Sequence, residues 1–389
     1  MKPANVYYIF IALLHFGMGV IVTGYVPFLL SIGISLGQVA LTNALYWTGI
    51  VLLELPTGML ADGRSRAWTL RFGALTLAVS ALVYACANGL YMAILAELFG
   101  ALSIAFQSGA LQAWITDALD RDGQGQERRK VFATGAIVGG SSALIGGVLG
   151  AGLACLHYRL IWVPLIILSL VAYVFAKRQM NGQGEPLERV TEIMALKQSL
   201  VLLRVSRDVR WVILVFILFG TIVCFNIYWS PFFKEYVGQL NLGWVWLIIY
   251  FPCIFGGWIV RRMIVPQGQE GNYLVLSLIG TGTGMMLLAF VGPLYAALAA
   301  VVVHEISRGL FEPLNDSFVQ HRVSSSYRAT FGSLQSLIGR IGFALVPLVT
   351  WICLPDFPDS TATIRLIWLV AGSVLVIGTL LLWLVRPRI

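Results

Sequence analysis

Four ionisable residues follow one another at helical spacing inside an otherwise apolar stretch: Glu305, Arg308, Glu312 and Asp316. Steps of three, four and four residues put all of them on one face of an α-helix. A charge placed at the centre of a lipid hydrocarbon layer costs about 2.5–3.5 kcal/mol or more, so such a row faces protein or water and marks a path for ions or polar solutes. The competing reading is an internal ladder, Glu305–Arg308–Glu312, that only holds the packing together. Glu54, Glu97 and Arg340 also interrupt apolar runs, and His15 does so on the first of them.

Depth separates these candidates. Glu312 is nine residues from His321 at the end of its run, or about 13 Å at 1.5 Å per residue. Arg340 is eleven residues into its run, about 16 Å deep. Glu54 is eight residues from Asp62, about 12 Å deep. With His15 they form one layer near the middle of a hydrocarbon core about 30 Å thick. Glu97 stands in the outer third of its run and is read as reaching the interface. His15 is read as a hydrogen-bonded packing residue, with a proton carrier as the alternative, because an ordinary imidazole titrates near neutrality.

The elements that must carry these residues follow from composition. Of 389 residues, 58% are hydrophobic and 11% charged, and the mean hydropathy is +0.84. A soluble domain carries about 25% charged residues, so the solvent for this chain is lipid. A crossing takes roughly 20 apolar residues. Twelve runs satisfy this: 4–31, 38–61, 67–88, 90–118, 131–155, 159–177, 208–236, 241–262, 271–292, 294–318, 329–353 and 361–385. They are long and continuous rather than alternating, which predicts helices and not a β-barrel. The fold class is all-α, a polytopic membrane protein of twelve transmembrane helices. The first run is too long for a signal-peptide core, so no cleavable leader is expected.

Of 26 basic residues, all but Arg159, Lys234, Arg308, Arg340 and Arg365 fall in the gaps, the adjoining ends of the runs and the termini on one side. The positive-inside rule makes that side, with both termini, cytoplasmic. The same distribution explains the net charge of +8 without nucleic acid. Residues 178–207 form the longest gap. Leu187, Val190, Ile193, Met194, Leu200 and Leu203 give it an amphipathic pattern, as for a helix lying on the membrane surface. It divides the chain into a six-helix bundle over 1–177, a cytoplasmic linker over 178–207 and a second six-helix bundle over 208–389. The halves echo each other at a shift of about 200 residues. Gly109-Ala-Leu-Gln112 matches Gly309-Leu-Phe-Glu312, and Tyr25-Val-Pro-Phe28 matches Trp229-Ser-Pro-Phe232. Parallel repeats of this kind place a substrate path at their interface near mid-membrane.

Aromatic and polar residues recur where such a path would run. Tyr8, His15, Met18, Val22 and Tyr25 share helical spacing on the first segment, as do Phe219, Asn226, Trp229 and Phe233 on the seventh. Rings with an occasional polar group suit an amphipathic organic solute, including a cation over a ring face. Trp229 and Tyr25 equally suit an interfacial belt. Asn226 is the stronger candidate, because a buried amide needs a partner. The five cysteines are widely spaced in apolar runs, and no metal-ligand spacing, HExxH or phosphate-cradling glycine loop occurs. No enzyme, metal or cofactor is expected.

The stretch Gly58-Met-Leu-Ala-Asp62-Gly-Arg-Ser-Arg66 resembles the loop signature G-x-L-a-D-r-x-G-r of the major facilitator superfamily, with Ser65 in place of its last glycine. Ser108-Gly-Ala-Leu-Gln-Ala-Trp-Ile-Thr-Asp117 and Arg328-Ala-Thr-Phe-Gly-Ser resemble bacterial drug-efflux-like members. The glycines of the efflux subgroup's fifth helix are present (Gly135, Gly139, Gly140, Gly146, Gly147 and Gly150) but its proline is missing, and small residues at these spacings serve close helix packing. The resemblance implies alternating access by two rocking halves, with Asp62, Arg66 and Asp117 as the cytoplasmic conformational switch. It also implies that the second and eleventh segments are neighbours. Arg340 is then expected to pair with Glu54 or Glu312 according to state. A carboxylate beside an arginine stays ionised and a dry one without it takes up a proton, so this exchange is a basis for proton coupling.

The function expected is proton-coupled export of amphipathic organic cations, zwitterions or metabolites. The substrate and proton pathway comprises Glu312, Arg308, Glu305, Arg340, Glu54, His15, Asn226, Trp229, Tyr25 and Gln112. The alternative is a carrier of organic anions, carboxylates or siderophores, clamped by Arg308 and Arg340; a non-transporting receptor is a third. The partners are a small-molecule substrate and the lipid bilayer, the chain is a monomer, and the location is a bacterial-type inner membrane.

Overall fold

The computed structural model describes residues 1–63, 65–180, 206–266, 268–322, 328–354 and 357–386. Among them every regular element is helical. The amphipathic stretch between Leu187 and Leu203 lies outside the described residues, as does the side chain of Asp62. The chain divides into two compact units. Unit one is Met1–Glu192 with Val237–Gly243; unit two is Ile193–Tyr236 with Trp244–Ile389.

Unit one holds α1 (Pro3–Val22), α2 (Tyr25–Ser31), α3 (Leu36–Gly63), α4 (Arg66–Cys86), α5 (Leu90–Gln107), α6 (Ala110–Arg121), α7 (Arg128–Leu156) and α8 (Trp162–Gln179). Two predicted segments are each broken once. The first parts at Thr23–Gly24 into α1 and α2, and the fourth parts at Ser108–Gly109 into α5 and α6. The Ser65 hydroxyl accepts from the Trp68 amide at 3.2 Å and starts α4, as N-cap serines do. Helix α1 packs on α7 and α8, α4 on α5 and α8, and α3 on α5. The α1–α7 contact is backbone against backbone: a Cβ on Gly150 would overlap the Val20 carbonyl, and one on Gly146 the Phe16 carbonyl. The glycines of this segment thus serve the close approach that their spacing predicts.

Unit two holds α9 (Arg207–Phe219), most of α10 (Val223–Arg262), α11 (Glu270–Phe290), α12 (Leu294–Arg322), α13 (Arg328–Cys353) and α14 (Thr361–Leu384). Helix α11 packs on α12 and α14, and α9 on α13 and α14. Their buried core gathers Trp211, Phe219, Leu274, Leu278, Phe311, Leu314 and Phe318, with Phe219 and Phe311 stacked at 3.9 Å. Helix α10 is not continuous. Gly238 sits at φ 73° and ψ 169°, a backbone conformation that glycine alone adopts cheaply.

The outside of both units is apolar: Leu52, Leu82, Ile137, Ile145, Leu276, Val370 and Leu381 are all exposed. Among the described residues, eleven stretches are long and apolar enough to cross a bilayer. One of them, Arg207–Arg262, is 56 residues long and contains the break at Gly238. Helices satisfy their own backbone groups, so such a surface is compatible with lipid and not with water. The chain is a multi-pass membrane protein.

Candidate functional site

The charged row of α12 lies in unit two, and its members have different environments. Glu305 is fully buried. Arg308, one turn on, is 22% exposed, and its Nε stands 3.1 Å from Glu305 Oε2. Glu312 and Asp316 are exposed. The expected Glu305–Arg308–Glu312 ladder is therefore present as one rung, with Glu312 standing outside the pair. Helix geometry accounts for the gradation, since α12 is gripped on its buried side. A Cβ on Gly284 would crowd His304, one on Gly280 would crowd Ser307, and Gly309 meets the backbone of Cys253. Pro313 lies inside α12 and removes the amide that would bond to the Gly309 carbonyl.

The guanidinium of Arg308 joins α12 to α10. Its Nη1 donates to Asn226 Oδ1 at 2.8 Å, and its Nη2 points at Cys253 Sγ at 3.9 Å. Asn226 is exposed rather than buried, so its amide meets both Arg308 and the open side of the unit. One turn further along α10, Trp229 is buried and stacks on Trp246 at 5.9 Å and 24°, with Tyr250 against the other edge of Trp246. Trp229 is thus a packed member of an aromatic group, not a free belt residue. Trp229 and Trp246 are seventeen residues apart, about 25 Å along a straight helix. Their stacking requires the chain to fold back at Gly238.

His304 was not singled out by its sequence context, yet it lies at the heart of this group. It is fully buried between Thr281, whose carbonyl lies 2.9 Å from Nδ1, and Glu305, whose Oε1 lies 3.9 Å from Nε2. The ring of Phe225 covers it at 4.4 Å. The only sequence signal was its position beside a mid-helix glutamate.

Unit one brings a second set together. Glu97 is buried, not at the interface as its position in the run implied. The Tyr25 hydroxyl donates to it and the Tyr84 hydroxyl lies alongside, 3.4 Å from that of Tyr25. Trp162 stacks flat on Tyr84 at 4.3 Å and packs edge-on against Phe28, so an aromatic wall shuts Glu97 from the bilayer. A buried acid attracts hydroxyl donors for the reason any buried polar group does. Glu54 accepts from Ser108 Oγ at 3.0 Å, at the break between α5 and α6. Arg66 pairs with Asp117, joining the start of α4 to α6. His15 and Gln112 are exposed, His15 lying over Gly139 of α7. Arg340 is half-buried on α13.

The sequence profile of the Major Facilitator Superfamily matches residues 8–347 of this chain. The chain belongs to the Major Facilitator Superfamily. A member of this superfamily is a membrane transporter and not an enzyme. A curated relative, an uncharacterized MFS-type transporter YxaM of Bacillus subtilis (strain 168), is 23% identical over 93% of this chain and 98% of its own. Among solved structures, the nucleoside transporter NupG is similar at a TM-score of 0.79, with 15% identity and 99% of each chain covered. The xylose transporter XylE from E. coli, in an inward-open conformation, is similar at 0.72, with 13% identity over 99% of this chain and 96% of its own. These likenesses show the superfamily fold.

Proposed function

We propose that the chain is a proton-coupled secondary transporter that exports amphipathic organic cations or zwitterions across a bacterial-type inner membrane. The observation that carries this reading is the charge balance of α12. Arg308 stands against Glu305, which leaves Glu312 and Asp316 as two exposed carboxylates with no arginine or lysine of the row beyond Arg308 to offset them. Such a surface favours a positively charged group, and the Trp246–Tyr250 rings of α10 offer faces for an apolar or cationic moiety. The fold-back at Gly238 supports counting Arg207–Arg262 as two crossings. That makes twelve, with both termini cytoplasmic by the positive-inside rule. The superfamily's alternating access then works with two units of six helices acting as a monomer.

A second reading rests on Arg308 itself. Its guanidinium reaches the exposed Asn226, so a carboxylate-bearing solute would find a fork of donors there. A thermal-shift screen of the purified protein separates the two, because a ligand that binds only the folded state raises its stability by mass action. Lipophilic cations should stabilise the protein at neutral pH and lose their effect in acid, where Glu312 and Asp316 take up protons and the attraction disappears. Stabilisation by organic anions instead, abolished in Arg308→Ala, would replace the first reading with the second.

A further inference from the structure

The two units repeat an arginine clamp. In unit two, Arg365 of α14 donates from Nη1 to the Ala289 carbonyl in the last turn of α11 at 3.2 Å, and its guanidinium lies over the Phe232 ring at 5.4 Å. In unit one, Arg159 donates from Nη1 to the Ala85 carbonyl in the last turn of α4, and its guanidinium lies over the Phe28 ring at 5.9 Å. The phenylalanines and the alanines are 204 residues apart and the arginines 206, so the clamps are equivalent parts of the repeat. Each sets a cation on the carbonyls at a helix C-terminus, where the helix dipole favours it.

One partner differs. In unit two, Arg365 Nη2 donates to the Tyr236 hydroxyl at 2.7 Å, and that hydroxyl donates on to the Gly292 carbonyl at 3.1 Å. The residue 204 positions earlier is Ile32, whose side chain has no oxygen to offer. A cavity of about 450 Å³ opens beside the unit-one clamp instead, with Phe28, Ser31, Ile32, His157, Arg159 and Gln239 in its wall. His157 Nδ1 accepts from the Arg159 amide at 3.2 Å, so the neutral ring carries its hydrogen on Nε2 and adds a second donor. Gln239 donates from Nε2 to the Thr23 carbonyl at 3.2 Å and leaves Oε1 buried without a hydrogen-bond partner. A shielded acceptor without a donor is costly. Leu156, in the same wall, is exposed, and Leu160 continues the apolar surface. The cavity lies at the Leu156 end of the 29-residue α7, whose other end begins at Arg128. The positive-inside rule puts the Leu156 end at the outer face.

We propose that this cavity binds the headgroup of an outer-leaflet phospholipid. The phosphodiester oxygens sit on Arg159 and His157, the hydroxyl or ammonium of the headgroup donates to Gln239 Oε1, and the acyl chains follow Leu156 and Leu160. A phosphate oxygen then does for Arg159 what the Tyr236 hydroxyl does for Arg365. Arginine suits the task because its planar fork presents paired donors to phosphate. A bare anion would leave Gln239 without a donor and the apolar side of the cavity uncovered. The site is separate from the α12 row and stands whether or not the chain exports cations.

The test uses the purified full chain in detergent. Native mass spectrometry with short-chain phosphatidylethanolamine, phosphatidylglycerol and the matching phosphate-free diacylglycerol should show retention of both phospholipids and not of the diacylglycerol. Ile32→Tyr rebuilds the unit-two arrangement. It should weaken phospholipid retention by about tenfold or more, the worth of one charge-assisted hydrogen bond, while thermal stability without lipid stays level or rises. Should Ile32→Tyr fold poorly, His157→Phe and Gln239→Leu each remove one polar group of the wall and should weaken retention in the same direction. Retention unchanged in all three variants, or diacylglycerol held as well as the phospholipids, overturns the proposal. Soluble glycerophosphoethanolamine, followed by thermal shift, separates the two sources of the phosphate. Binding as tight as that of the lipid overturns the lipid assignment and makes the cavity a site for a soluble phosphate ester.

Discussion

Among the described residues, each unit buries a glutamate in the interior of a helix, Glu97 in one and Glu305 in the other, and the two are accommodated in opposite ways. Glu97 of α5 is met by neutral hydroxyls, Tyr25 donating and Tyr84 alongside, behind the stacked ring of Trp162. Glu305 of α12 is met by a cation that is itself partly exposed and shared with Asn226, and by a histidine that offers it no hydrogen. Neutral donors fixed by ring packing hold an acid in one arrangement. A cation with two acceptors within reach ties Glu305 of α12 to Asn226 of α10 through one side chain. The first carboxylate sits behind a wall of rings and the second in an ion pair, although both look alike as single glutamates in apolar runs.

The largest effect should come from Arg308→Ala. Removing one partner of a buried ion pair costs about 3–5 kcal/mol, most of it the stranded charge. Adding Glu305→Gln to the same chain should restore most of the loss. The deficit should be greatest at alkaline pH, where Glu305 is ionised, and should shrink as pH falls and Glu305 takes up a proton. Thermal unfolding of the two variants across pH measures this. An Arg308→Ala protein as stable as wild type throughout would mean that Glu305 carries no charge for Arg308 to balance.

Tyr25→Phe should cost less, about 1–3 kcal/mol for a buried acceptor left one donor short. It should leave the pH response of transport where it was. A shifted pH response in this variant would erase the distinction between the two carboxylates and make Glu97 part of the coupling. Asn226→Ala should be the mildest, about 0.5–1.5 kcal/mol, because water can replace an exposed amide. Its consequence should lie in substrate affinity. An equal loss of affinity in Tyr25→Phe and Asn226→Ala would place both units' polar groups in substrate binding.

Much of this was legible beforehand, and the reasons are specific. The i, i+3, i+7, i+11 row of α12 needs only helical geometry and the cost of charge in lipid. A close helix contact on α7 follows from glycines at packing spacing, and the structure shows Gly150 and Gly146 meeting the Val20 and Phe16 carbonyls of α1. Other readings missed because their cause is not local. Glu97 was assigned to the interface by its place along the run, but Tyr25, whose hydroxyl donates to it from the start of α2, is 72 residues away in sequence. The breaks at Thr23–Gly24 and Ser108–Gly109 fall inside runs long enough to read as one continuous crossing each. An apolar helix and an apolar kink have the same composition.

Composition, periodicity and the loop signature by themselves determined the membrane as solvent, the helical class, the superfamily and the face of α12 that carries charge. These depend on averages or on spacing within one element. Tertiary structure alone decided which carboxylate is paired, which is walled in and which histidine matters. His304 became a candidate only when α11 brought the Thr281 carbonyl to its Nδ1 and left Nε2 facing Glu305. A backbone carbonyl has no residue identity, so no pattern of letters announces it. The direction of a single hydrogen bond between two helices decides where the lone pair points.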